Sequence, residues 1–226
     1  MQGQTSDRSG AIPESSTVAI ADLAARMRRD GHAVIDFSAG RAAEHSPEIV
    51  NEAAVEAIRS GQTHQTEARG RPEYLEACAE KLRRCNGLDL DPAVNIQATL
   101  GCKQGLVLAL LASIDAGDEV IVEDPCFVSY APTIRLFGGV PVVVPLHAEH
   151  GFRWRTDDLA AAVTEKTKAI LYCSPHNPTG VVHSSADLDV IAAVAIEHGC
   201  TLVTTDSDFD RFPGLRWHHP LRAGSG

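Results

Sequence analysis

Short apolar segments alternate with segments of helical length from residue 95 onward, and this alternation restricts the fold more than any other feature of the chain. The apolar runs are rich in β-branched residues, as strands are. They are NIQAT (95–99), EVIVED (119–124), PVVVPL (141–146), KAILYC (168–173) and TLVTTD (201–206). Strands that alternate with helices form parallel βαβ units. We therefore expect an α/β fold with a mostly parallel sheet and helices on both faces.

The beginning and end of the chain differ from this regular part. Residues 1–17 are mainly polar, so we expect a disordered or extended N-terminus there. AVIDFS (33–38) has the composition of a short strand. We expect one domain portion over residues 18–206, followed by an irregular tail over 207–226.

Charge, cysteine spacing and hydropathy restrict the classes of partner. The formal net charge is −10, which argues against binding to nucleic acids or to anionic membranes. The six cysteines are scattered, without the spacing of a zinc site, and no stretch approaches the roughly 18 apolar residues of a membrane span. We therefore predict a cytoplasmic protein with reduced thiols, no metal site and no membrane segment.

Three loops follow predicted strands, where α/β proteins bind their ligands. The loop 99–103 opens a helix and could bind an anion, although glycine also serves tight turns that bind nothing. The loop 124–130 carries Phe127, which could lie flat on a planar ring or simply belong to the core. In the loop 174–180, Asn177 stands between prolines and could donate to a phenolate or carboxylate, or form an Asx turn.

The segment SPHNPTG (174–180) resembles the asparagine loop of fold-type I aminotransferases of class I/II, which depend on pyridoxal 5′-phosphate (PLP). Three further segments resemble that family in the same order: VIDFSAG (34–40), NIQATLGCKQGLVLAL (95–110) and DAGDEVIVEDPCFVSYAPTIRLFGGVPVVVPL (115–146). The resemblance covers about residues 18–198 and implies the N-terminal part of the large domain. The chain departs from the family at THQTEARGRPEYLE (63–76), where a tyrosine that contacts phosphate from the partner subunit would be expected.

The resemblance implies a role for each matching position. The phosphate of PLP would be bound by Gly101, Cys102 and Lys103. Phe127 would stack on the pyridine ring and Asn177 would donate to its O3′ oxygen. Two further roles are implied, Gly40 near the substrate carboxylate and Asp206 at the pyridine nitrogen. The substrates would be an amino acid and a 2-oxo acid, and the expected assembly is a homodimer or an aggregating species.

The catalytic lysine of the family has no counterpart in this sequence. The lysines are Lys81, Lys103, Lys166 and Lys168, and none follows Asp206, where the family has its Schiff-base lysine. We therefore expect no catalytic residue, PLP binding that is non-covalent at best, and no activity of this truncated chain alone. Phe209 also stands where the family has a tyrosine.

The segment 197–221 has a resemblance of its own, to the C-terminal end of PIN-domain ribonuclease toxins. In that family two acidic residues after a strand help to bind Mg²⁺ or Mn²⁺, and Asp206 and Asp208 would match them. Three functions therefore stay open: an incomplete aminotransferase, a non-catalytic remnant that binds PLP or pairs with a complete subunit, and a metal-dependent ribonuclease.

Overall fold

A computed structural model of the chain describes residues 6, 10, 12, 15–37, 40, 44–199, 201–203, 213–214 and 216–218. The chain divides into two compact units. One comprises Glu14–Ala98, and the other comprises Met1–Pro13 with Thr99–Gly226. The domain boundaries at 17/18 and 206/207 stay predictions.

The unit Glu14–Ala98 is helical where it is described. Its helices are α1 (Ser16–Arg29), α2 (Glu48–Arg59), α3 (Pro72–Asn86) and the single turn α4 (Pro92–Asn95). Helix α3 begins with Pro72, whose missing N–H costs nothing in the first turn, and ends at Gly87, whose φ of 67° a glycine adopts without strain.

Two of the predicted strands are wrong. Residues 33–37 form no strand, and Ile35 and Phe37 are exposed instead of packed. Residues 95–99 form no strand either, because the side chain of Arg69 donates to the carbonyls of Val94 and Ile96 and the N–H of Ala98 donates to the Arg69 carbonyl. These backbone groups are therefore not available to a sheet.

The second unit follows the predicted alternation. Its elements, in chain order, are α5 (Gly101–Ser113), β1 (Glu119–Asp124), α6 (Tyr130–Leu136), β2 (Val140–Pro145), a 3₁₀ turn (Ala148–His150), α7 (Thr156–Ala162), β3 (Thr167–Leu171) and α8 (Ser185–Glu197). The three strands form a parallel sheet in the order β2-β1-β3. Strand β1 is central, so the residues that follow it lie in the middle of the carboxyl edge.

Helices cover both faces of this sheet, as predicted. Successive side chains of a strand point to opposite faces, and β1 follows that rule. Val120 and Val122 pack with Leu110, Ile114 and Ile134 of the α5 and α6 side. Ile121 packs on the other face, in a cluster with Val144, Leu146, Trp154, Leu159, Ile191 and Val194. The sheet is thus buried between two apolar layers, which fixes the positions of the loops at its edge.

A second, two-stranded sheet lies towards the end of the chain. Strand β4 (Thr201–Val203) pairs in parallel with β5 (Arg216–His218). Within the described part, β4 is not paired with the main sheet, although the alternating pattern indicated a further strand of that sheet over 201–206. Strand β5 falls in the 207–226 segment, where the pattern indicated irregular structure. None of the helices in the described ranges is long and apolar enough to cross a membrane.

Candidate cofactor site

The start of α5 has the geometry of an anion site. Gly101 adopts a φ of 75°, and a Cβ built there would meet no atom within 4 Å. The N–H of Leu100 donates to Gln104 Oε1 at 2.5 Å, and the N–H of Gly101 donates to the Thr99 carbonyl at 2.8 Å. Leu100 provides no capping oxygen. The first-turn N–H groups of Cys102 and Lys103, which have no acceptor among the described residues, therefore stay available to a ligand.

The fold brings Lys103 and Phe127 together, although they are 24 residues apart in the sequence. The Lys103 ammonium lies 5.6 Å from the centroid of the Phe127 ring. This distance is within the range of a cation–π contact. The Phe127 ring also meets the Tyr130 ring edge to face, with centroids 5.6 Å apart. The loop after β1 and the first turn of α5 therefore form one continuous surface.

Asn177 is exposed at the tip of a tightly closed loop after β3. The N–H of Gly180 donates to the His176 carbonyl, and the N–H of His176 donates to the Val181 carbonyl, both at 2.7 Å. No partner for the Asn177 side-chain amide lies among the described residues. The amide can therefore donate to a ligand oxygen.

A buried cluster of one glutamate and two histidines beneath this loop was not predicted from the sequence. The Glu123 carboxylate, at the end of β1, lies 3.3 Å from His176 Nε2 and 3.4 Å from His183 Nε2. All three side chains are at least 98% buried. The sequence contained one indication of this burial. In EVIVED, Glu123 lies two residues after Ile121, so its side chain points to the same face of the strand as that core residue.

Two weakly acidic groups border this region. Burial, followed by the nearby Cys173 thiol, raises the pKa of the Tyr130 phenol well above its ordinary value of 10.0. Burial also raises the pKa of the Cys126 thiol to about 11, with a smaller effect of the Asp124 and Glu123 charges. Both groups are therefore neutral at physiological pH and can donate hydrogen bonds.

The roles of the remaining two predicted residues, Gly40 and Asp206, stay predictions. Gly40 belongs to the other unit, where it is exposed and a Cβ would meet nothing within 4 Å. Asp206 lies outside the described residues, as does Asp208. The described residues contain no group of three or more His, Cys, Asp or Glu side chains suited to hold a metal ion.

Comparisons with known proteins identify the family to which the chain is similar. The family model for aminotransferase class I and II matches residues 32–209. A probable aspartate aminotransferase of Streptomyces griseus is 42% identical over 203 residues, which cover 90% of this chain and 95% of that protein. A probable aspartate/prephenate aminotransferase of Aquifex aeolicus is 40% identical and covers 86% of this chain, but only 49% of the relative is matched.

A solved structure shows the same fold at high similarity. The aspartate aminotransferase of Thermus thermophilus with maleate has a TM-score of 0.82 and 41% sequence identity, and the match covers 90% of this chain and 53% of that one. The chain thus spans about half the length of this protein and of the Aquifex relative. The sequence match and the shared fold lead to the same assignment: the chain belongs to the class I and II aminotransferase family.

Proposed function

We propose that the chain binds PLP on the surface formed by the start of α5, the loop after β1 and the loop after β3. The proposed reaction of this site is transfer of an amino group between an amino acid and a 2-oxo acid. PLP, when bound, supplies a ring that stabilises negative charge at the reacting carbon. The observation that carries the proposal is the contact of Lys103 with Phe127 beside a helix start that has free N–H groups.

The residues present fit the chemical groups of PLP. The backbone N–H groups of Cys102 and Lys103 and the Lys103 ammonium suit a phosphate, because a helix start favours negative charge. The Phe127 ring is a partner for a planar heterocycle. We propose that Lys103 leaves the ring face when it contacts the phosphate, so that the heterocycle can stack there.

Asn177 would donate to the phenolic oxygen of the ring. Its amide is exposed, and the two 2.7 Å hydrogen bonds around it restrict the loop. Asp206 at the ring nitrogen and Gly40 near the substrate carboxylate are kept as proposals from the family resemblance. Non-covalent binding is proposed as well, since no lysine follows Lys168 in this sequence.

Aspartate with a 2-oxo acid is the substrate pair that we propose to assay first. Several matched relatives bear the name aspartate aminotransferase, and one solved structure contains maleate, a dicarboxylate. Cytoplasmic location, assembly as a homodimer and the ribonuclease interpretation of the tail stay predictions. So does the alternative of a non-catalytic remnant.

The proposal is tested by titrating the chain with PLP and following the absorbance of the cofactor. Asn177→Ala and Phe127→Ala should each weaken binding by about 1–3 kcal/mol, through loss of a polar partner or a stacking contact. Asn86→Ala is the matched control, because the Asn86 amide accepts from Lys81 in helix α3. Unchanged affinity in both site variants would show that PLP, if it binds, does so elsewhere.

A further inference from the structure

A carboxylate lies between two imidazoles directly below the Asn177 loop. The Glu123 cluster, defined as Glu123, His176 and His183, joins the end of β1 to two points of the loop, one before Asn177 and one after it. The contacts are 3.3 Å from Glu123 Oε2 to His176 Nε2 and 3.4 Å from Glu123 Oε1 to His183 Nε2. One buried side chain therefore contacts both halves of the loop.

The hydrogen bonds around His176 indicate how it faces the carboxylate. His176 Nδ1 lies 2.6 Å from Thr179 Oγ1. If the threonine hydroxyl donates to Nδ1, the proton of the neutral ring is on Nε2, the atom that faces Glu123. His183 Nε2 faces the other carboxylate oxygen, and its Nδ1 has no hydrogen-bond partner among the described residues. Among the described residues, neither carboxylate oxygen has a well-aligned hydrogen bond, so these two contacts are its main compensation for burial.

Backbone contacts connect this cluster to the conformation of the loop. The N–H of His176 donates to the Val181 carbonyl, and the N–H of His183 donates to Ser174 Oγ at 3.1 Å. These hydrogen bonds join the two ends of the loop. From these ends, the side chains of both histidines point to the Glu123 carboxylate. A shift of either histidine would move the turn that carries Asn177.

We propose that Glu123, through His176 and His183, positions Asn177 for its contact with the ring oxygen of the cofactor. This inference rests on the proposed function for the identity of the ligand. Glu123 is a positioning residue here, since it is fully buried and Asn177 is exposed. The connection from Glu123 to the loop consists of the 3.3 and 3.4 Å polar contacts to the two imidazoles.

The first test measures the loop without any ligand. Glu123→Leu removes both acceptors, and hydrogen exchange of the His176 and Gly180 amides should become about tenfold faster or more, because their bonds open locally. Glu123→Gln, which keeps one acceptor, should be intermediate. Glu119→Leu is the control, since Glu119 is on the same strand and accepts from Thr164 Oγ1 at 2.5 Å. Equal exchange in all variants, or a uniform increase over the whole chain, overturns the positioning role.

The second test couples the cluster to Asn177. Glu123→Gln should weaken PLP binding by up to about tenfold in the parent, and should have little further effect when Asn177→Ala is present, because residues that act through one contact are not additive. Additive losses overturn the proposal. If Glu123→Leu does not fold, His183→Phe is used in its place. This variant keeps an aromatic ring at position 183 and removes the imidazole nitrogen that contacts Glu123.

The two tests separate this inference from the proposed function. A parent chain that binds no PLP overturns the cofactor proposal and, with it, the assigned ligand of Asn177. Hydrogen exchange then still decides whether the Glu123 cluster controls the loop. If the parent binds PLP and hydrogen exchange in Glu123→Leu is unchanged, the cofactor proposal stands and the positioning role is overturned.

Discussion

Cys126 and Tyr130 follow the carboxyl end of β1, and both are partly buried beside acidic groups. Their environment favours the protonated forms, so neither is suited to act as a nucleophile or a base near neutral pH. The charged group that the proposed site offers to a ligand is Lys103, in the exposed first turn of α5. The candidate surface thus has a neutral, partly buried side with Cys126 and Tyr130, and an exposed positive charge on Lys103.

The rate of cysteine alkylation tests the burial of the Cys126 thiol. With a pKa of about 11, Cys126 is almost entirely a thiol at neutral pH, whereas only the thiolate reacts. Iodoacetamide should modify Cys126 at least about tenfold more slowly than the exposed Cys85 and Cys102. Peptide mapping by mass spectrometry at several times measures the rates. Modification of Cys126 as fast as Cys85 would contradict the burial of this thiol.

The start of α8 shows how one helix supports both the core and the loop before it. The N–H and the hydroxyl of Ser184 donate to Asp187 Oδ2, at 2.6 and 2.7 Å, and Arg153 forms an ion pair with the same carboxylate. These partners satisfy the first turn of a helix whose Ile191 and Val194 belong to the core. Because α8 begins five residues after Gly180, its start also limits the movement of the Asn177 loop.

Replacement of Asp187 should therefore reduce stability in a pH-dependent way. Burial alone would raise the pKa of Asp187, but the Ser184 hydrogen bonds and the Arg153 charge outweigh it and lower the pKa below 3.8. The carboxylate thus contributes stability above about pH 3.8, and this is lost as the pH falls through the lower folded pKa. Asp187→Asn should cost about 1–2 kcal/mol near neutral pH.

Urea unfolding at neutral and at acidic pH measures this effect. The difference between parent and Asp187→Asn should shrink at the acidic end, where the parent carboxylate is protonated. Glu197→Gln, an exposed change at the other end of α8, is the control and should be close to neutral. A difference that does not depend on pH would exclude the carboxylate charge as its source.

The strands of the main sheet were predictable from the sequence, but several contacts of the site were not. EVIVED gave the bounds of β1 because apolar, β-branched runs are a local property. NIQAT has the same composition, yet the distant Arg69 donates to the Ile96 carbonyl within it, and no local pattern contains that contact. Glu123 is similar: its partners, His176 and His183, come from a different loop. The sequence therefore indicated which loops follow the strands of the sheet, and it missed the buried contacts of Glu123 with two histidines.

The chain as a whole contains the surface proposed to bind PLP but no lysine after Lys168. In the chemistry of this family, amino-group transfer needs a lysine amine that holds the cofactor and moves a proton. Under the proposal, the three loops bind and orient the cofactor and stack against its ring. We therefore separate binding from turnover for this 226-residue chain.

We predict that the purified chain transfers amino groups no faster than free PLP. The measurement is the formation of 2-oxo acid from aspartate, before and after gel filtration removes unbound cofactor. Borohydride reduction followed by peptide mapping checks for covalent attachment. Turnover that survives gel filtration, or a borohydride-stable adduct on Lys103, would refute the prediction and would change the role assigned to the first turn of α5.

The central position of β1 also has a kinetic consequence. Glu119 pairs with Val140 of β2 and with Thr167 of β3, and the second partner is more than twice as far along the chain as the first. Closing a short loop costs less chain entropy, so β1, α6 and β2 should assemble before β3 joins them. The Asn177 loop, which follows β3, is then completed late in folding. Substitutions in that loop should accelerate unfolding and leave the folding rate nearly unchanged, so the ligand-binding part can vary without slowing the assembly of the sheet.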